Sequence, residues 1–163
     1  MKKTAYLGLF LALALICSYI ESLIPFYFGI PGVKLGLTNI VVILMLYDMG
    51  AKYALVISAA RIFLAGLLFG NMFSILYSLA GGLLSFFCMA ILKKTGRLKI
   101  ISISAVGGIT HNLGQIMVAA VVVENINLFY YYPVLLLAGV VTGVLIGIAA
   151  QEILLRIPDH RLR

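Results

Sequence analysis

ISISAVGGITHNLGQIMVAAVVV, residues 101–123, contains no aspartate, glutamate, lysine or arginine. As a helix this run of roughly 23 residues is about 35 Å long at 1.5 Å per residue. That exceeds the roughly 30 Å hydrocarbon core of a bilayer. The same run carries His111, Asn112 and Gln115 near its centre. A spanning helix with strong hydrogen-bonding side chains at mid-depth points them at other helices or at a site, because lipid offers them no partner.

The rest of the chain agrees with a lipid solvent. Of its 163 residues 64% are hydrophobic and only 10% charged, and the mean hydropathy is +1.18. A soluble domain of this size has too little interior to hide so much apolar surface. The net charge of +7 does not point to nucleic acid, because the basic residues sit in short runs between apolar segments, as membrane topology requires. Cys17 and Cys88 stand alone in apolar runs and form no CxxC, haem-attachment or zinc pattern; they read as small core hydrophobes. The start MKKTAYLGLFLALALICSYIE has the two lysines and apolar run of a signal peptide. The run continues to Pro25 with no A-x-A site after it, so it reads as a retained first helix.

Six candidate spans follow, at 4–24, 36–49, 52–69, 72–92, 100–123 and 133–155, the second of them short. They predict an all-α, six-helix membrane protein with a single domain over 1–163. The stretch PFYFGIPGVKLG, 25–36, with two prolines and three glycines, predicts a loop that dips back into the protein. With the amino terminus inside, Lys2, Lys3, Lys52, Lys93, Lys94, Arg97, Lys99, Arg156, Arg161 and Arg163 fall on the inner side, and Lys34 alone on the outer side. This positive-inside pattern predicts a multi-pass protein of the cell membrane with both termini cytoplasmic.

Small residues mark close helix contacts. Gly139, Gly143 and Gly147 recur every four residues in AGVVTGVLIG, giving the last helix a smooth packing groove. Ala5, Gly8 and Ala12 share a face of the first helix, either for internal packing or for docking another membrane protein. Asp48–Lys52 and Glu152–Arg156 have the i, i+4 spacing of boundary ion pairs.

Arg61 lies nine residues after Lys52, about 13 Å deep, and its permanent charge needs a partner. His111, eleven residues after Ile100, reaches a similar depth. Ser104, Gly108, His111 and Gln115 share one helix face, and Asn112 lies about 100° round from His111. Lys34, Asn39 and Asn71 belong to the outer half with Glu21. Two readings remain open: a ligand chamber with Arg61, His111, Asn112 and Gln115 deep and Lys34, Asn39 and Asn71 above, or interhelical hydrogen-bond glue. The chamber would suit a ligand with an anionic or carbonyl-rich face. Arg61 could instead be neutralised by Glu21. The Tyr130–Tyr132 run is either an interfacial aromatic belt or a lid.

There is no GxxxxGK[ST] for ATP, no aspartate cluster for magnesium (Asp48 and Asp159 are the only aspartates), and no serine or cysteine with an adjacent base. An independent enzyme is not expected, and neither is a metal site or a covalent cofactor.

IPGVKLGLTNIVVILML (30–46), AARIFLAGLLFGN (59–71), SLAGGLLS (78–85) and GGITHNLGQ (107–115) together resemble the Gx transporter family, often labelled heptaprenyl diphosphate synthase component I. The resemblance covers about residues 5–155. That family is similar, distantly, to the substrate-binding S components of energy-coupling factor (ECF) vitamin transporters. The resemblance implies a six-helix bundle with an outward-facing ligand chamber, working with a transmembrane coupling subunit and two ATPases. It also implies two alternatives: an accessory subunit in polyprenyl diphosphate synthesis, or a membrane component beside a flavinylated redox partner, with a non-covalent flavin or quinone. S components often present Ala-x-x-x-Ala on the first helix; here the nearest pattern is Gly8-x-x-x-Ala12 with Ala5. Lys34, Gly36, Asn39, Arg61, Asn71, His111, Asn112 and Gln115 match motif positions.

Overall fold

A computed structural model of the chain describes residues 2–23 and 36–157. Lys34 and most of the expected re-entrant loop lie outside the described residues, as do Arg161 and Arg163. The elements run α1 Lys2–Leu23, α2 Asn39–Asp48, α3 Ala51–Phe69, α4 Met72–Thr95, α5 Ile100–Val122, a 3-10 helix Ile126–Tyr131, and α6 Tyr132–Arg156. The described residues form no strand, and the fold is an all-α membrane-type bundle.

Five of the helices are long and apolar enough to cross a membrane; α2, with its 10 residues, is not. At 1.5 Å per residue it covers about 15 Å, half a hydrocarbon core. The expected second span, 36–49, is therefore a half-span. Its composition fits its surroundings. Every residue from Val41 to Leu46 is buried, as a helix apolar on all faces requires. Phe10, Ala14, Ala54, Ile57, Phe86, Met89, Ile103 and Ile146 pack with it into one core. The outside is inverted relative to a soluble protein. Leu9, Ile16, Phe63, Leu67, Ile91, Val121, Leu137 and Leu145 are all exposed, in keeping with a multi-pass membrane protein.

Ring and hydrogen-bond contacts order the ends. Tyr6 near the start of α1 donates to Asp48 Oδ2 at the end of α2, 2.8 Å away. Lys93 Nζ near the end of α4 donates to the Leu46 carbonyl and lies 4.7 Å from the centre of the Tyr47 ring. At the opposite end, Tyr19 of α1 meets Phe69 of α3 with ring centroids 5.1 Å apart. Asp48 thus bonds Tyr6, rather than the expected Lys52, while Glu152 and Arg156 do pair, at 3.6 Å.

Between lipid-soluble helices there is little hydrophobic drive, so close van der Waals packing and hydrogen bonds must hold them. The α5–α6 contact shows how close. A Cβ on Gly108 would lie 2.2 Å from the Gly139 carbonyl oxygen; one on Gly143 would lie 2.7 Å from Ala105 Cα, and one on Gly147 2.7 Å from Ile101 Cα. The every-fourth glycines of α6 are thus internal packing. On its other side α5 meets α4 as closely: a Cβ on Gly114 would sit 2.7 Å from the Ala80 carbonyl oxygen. Helix α5, with its polar centre, is clamped between two backbones.

Candidate functional site

The site is built around the amino terminus of α2, which begins inside the bundle. The turn that leads into α2 is tied to α1. Here Gly36 N–H donates to Glu21 Oε1 of α1, Leu37 N–H donates to the same oxygen at 3.3 Å, and Thr38 Oγ1 donates to Oε2 at 3.4 Å. Ser18, one turn before Glu21, shares a 3.3 Å hydrogen bond with Thr38. Thr38 stands at the N-cap position but makes no side-chain cap of its own; the first α2 amides, of Asn39, Ile40 and Val41, bond the carbonyls of Gly36, Leu37 and Thr38, and Glu21 holds the turn just before them. An anion at the positive end of the helix dipole is favourable, so the carboxylate is tolerated although only 5% exposed.

Gly36 has φ 80°, and a Cβ there would lie 3.1 Å from Asn39 Nδ2 and 3.3 Å from His111 Cδ2. Both the left-handed backbone and the space require glycine. The imidazole of His111 fits between two glycines, because a Cβ on Gly81 of α4 would lie 3.2 Å from His111 Cε1 and 2.9 Å from Gln115 Cγ. His111 is 3% exposed and Gln115 fully buried. Asn39 is buried at the start of α2.

Arg61 of α3 is buried as well, and Glu21 acts on it electrostatically across the interior. No ion pair or hydrogen bond joins them. Arg61 Nε and Nη2 have no hydrogen-bond partner among the described residues. The expectation that Glu21 could pair with Arg61 is not met directly; its carboxylate faces the Gly36 and Leu37 amides instead.

Two other expected contacts are placed elsewhere. Asn112 Nδ2 donates to the Leu135 carbonyl of α6 at 2.7 Å, beside Gly139, so it clasps α5 to α6. Asn71 is exposed and accepts from Ser74 N–H at 2.8 Å, capping α4. The aromatic run is turned outward, with Tyr130 82% exposed, while Tyr132 packs on the Tyr77 and Leu135 cluster. Ala5, Gly8 and Ala12 lie on the exposed side of α1, and nothing stands within 4 Å of a Cβ at Gly8, so they serve no packing within the described residues.

What sequence reasoning missed is the role of Glu21, with Ser18 and Thr38, in tying down the turn that leads into α2. The available signal was a lone acidic residue in an apolar run, before LGLTN. A second feature it did not anticipate is a groove of about 390 Å³ at the end of α5, lined by Met117, Ala120, Val121, Glu124, Ile126 and Phe129. No group of three metal-ligating side chains occurs among the described residues.

Taken together, Glu21, Gly36, Asn39, Arg61, His111 and Gln115 form one buried polar region where α1, α2, α3, α4 and α5 meet. It offers donors on Arg61 and a carboxylate already held by backbone amides. Searches of curated proteins and of solved structures gave no match. A family profile described as heptaprenyl diphosphate synthase component I matches residues 10–153, across all six helices and every residue of the polar region, and the chain belongs to that family of membrane proteins.

Proposed function

We propose that this protein is the substrate-binding membrane subunit of an ECF-like small-molecule transporter, taking its ligand from the outer side into the polar region around Arg61 and His111. The observation that carries the reading is the buried Arg61 edge. A buried guanidinium with two nitrogens that find no partner among the described residues is costly unless something pairs with it. A ligand is the group best suited to do so. An ionisable group inside a membrane bundle is by default a candidate functional site. Both termini would then be cytoplasmic, with Lys52 at the start of α3, Lys93 and Lys94 at the end of α4, and Arg97 and Lys99 after it on that side. The exposed small-residue face of α1 would meet a transmembrane coupling subunit, and partner ATPases would drive the cycle.

The family description favours a second reading, in which the protein is a non-catalytic component in polyprenyl diphosphate synthesis. One experiment separates these readings. Native mass spectrometry of gently solubilised protein should find a small polar molecule in the wild type, with a coupling subunit and ATPases co-purifying. Arg61→Ala and His111→Ala should insert normally and lose that molecule. A retained prenyl diphosphate with a soluble synthase partner would support the accessory role. A flavin or quinone with a flavinylated partner would point to electron transfer. An empty chain in every preparation would sink the ligand-binding reading.

A further inference from the structure

Among the described residues, Arg61 Nε and Nη2 have no hydrogen-bond partner. In a planar guanidinium these two lie on one edge, and their N–H bonds run nearly parallel. That edge is the fork that binds two oxygens of a carboxylate or phosphate at once. Glu21 is the acidic side chain whose charge bears on Arg61. Yet it is turned to Gly36 N–H, Leu37 N–H and the Thr38 hydroxyl. Its oxygens are turned to those donors, and it makes no hydrogen bond to the fork. Gly36 keeps that turn in place, because its φ of 80° allows the backbone to turn into Glu21 while lying flat on His111.

The geometry points to the Nε–Nη2 edge of Arg61 as the seat of an oxyanion, carboxylate or phosphate, carried by the ligand, with the turn before α2 holding Glu21 off that seat. This rests on the ligand-binding reading above and adds the chemical class of the ligand. It makes Glu21 a positioning residue: its engagement with that turn keeps the binding edge open. The fork is buried, so the group that fills it is enclosed with its carrier inside the bundle and is not a loosely held bulk ion.

The test uses the full chain in maltoside micelles, which contain no phosphate. Thermal unfolding is followed while inorganic phosphate or acetate is added against chloride at equal ionic strength. In a separate arm phosphatidylglycerol is added instead. The wild type should gain about 4 °C at saturation with a free oxyanion, and phosphatidylglycerol should give less. Arg61→Gln should weaken the midpoint by about tenfold or more, with Arg61→Lys between, because it keeps the charge and loses the fork. Glu21→Gln, which keeps an oxygen for the Gly36 and Leu37 amides, should respond as well as the wild type or better.

An equal response in Arg61→Gln overturns the assignment, and so does a lost response in Glu21→Gln, which would put Glu21 in the seat. A response to phosphatidylglycerol alone would assign the edge to a lipid headgroup and overturn the small-ligand form. A retained molecule in native mass spectrometry that lacks an oxyanion also overturns it, while leaving the ligand-binding reading intact. A phosphate response that depends on Arg61, in a protein that never retains a molecule, would do the reverse.

Discussion

Glu21 and Arg61 are buried in the same interior, and Glu21 is hydrogen-bonded to Gly36 N–H rather than to the guanidinium. A direct ion pair would have neutralised both charges with no further consequence. Instead the carboxylate holds the turn into α2 and the guanidinium keeps an edge unfilled among the described residues. Opposite charges flank α2, Glu21 on the turn before its amino terminus and Lys93 on the Leu46 carbonyl near its end, each of the sign the helix dipole favours.

Removing Glu21 therefore should cost more than removing an ordinary cap. Glu21→Ala strips the acceptor from two amides and one hydroxyl, and leaves Arg61 without the nearby negative charge. The expected loss is about 3 kcal/mol, against about 1 kcal/mol for Glu21→Gln, which retains an acceptor. Denaturant unfolding in micelles measures both. Equal losses would mean that the charge matters and the hydrogen bonds do not.

Gly36→Ala tests the turn into α2. An alanine at φ 80° is strained, and its Cβ would press on His111 and Asn39. A destabilisation of about 1–3 kcal/mol is expected, together with a changed environment for His111 visible in imidazole NMR shifts. A neutral Gly36→Ala variant with unchanged His111 signals would refute this description of the site.

The glycines of α5 and α6 should divide sharply from the glycine of α1. Gly139→Leu would drive its side chain into the Gly108 backbone, 2.8 Å away at the first carbon, and should prevent a stable bundle. Gly8→Leu meets nothing within 4 Å and should leave thermal stability within about 0.5 kcal/mol. If Gly8→Leu keeps the fold and releases a co-purifying membrane partner, the Ala5–Gly8–Ala12 face is a docking surface.

Glu124 follows the end of α5 with φ 53°, and Asn125 N–H closes back to the Ala120 carbonyl at 3.0 Å. That is the left-handed position where glycine usually ends a helix. Glu124→Gly should stabilise the protein by about 0.5–1 kcal/mol, read as a raised unfolding midpoint. A lowered midpoint would show that the glutamate side chain, at the rim of the groove beside Ile126 and Phe129, makes a compensating contact.

Much of the bundle was legible in the amino-acid order. Runs of some 20 apolar residues specify spanning helices because the bilayer demands them, and all of the long helices fall where hydropathy put them. The every-fourth glycines of α6 announced a close neighbour, and Arg61 and His111, marked out by their place in apolar runs, are both buried. Their polar side chains in lipid-length runs were enough to mark an interior region. These features depend on local pattern and on the solvent alone.

The tertiary structure decided the rest. Helix α2 is a half-span because the core formed by α1, α3, α4, α5 and α6 encloses it, which no window of hydropathy can reveal. Asn112 turned out to be a clasp and Asn71 a cap, because the Leu135 carbonyl and the Ser74 amide happen to lie within reach. Above all, the order of residues could not say whether Glu21 would meet Arg61 or the amides of Gly36 and Leu37. That choice depends on where a helix terminus comes to rest among four others, a matter of distances between segments distant in the chain. Sequence supplied two buried charges; only their placement in space left one of them satisfied and the other open.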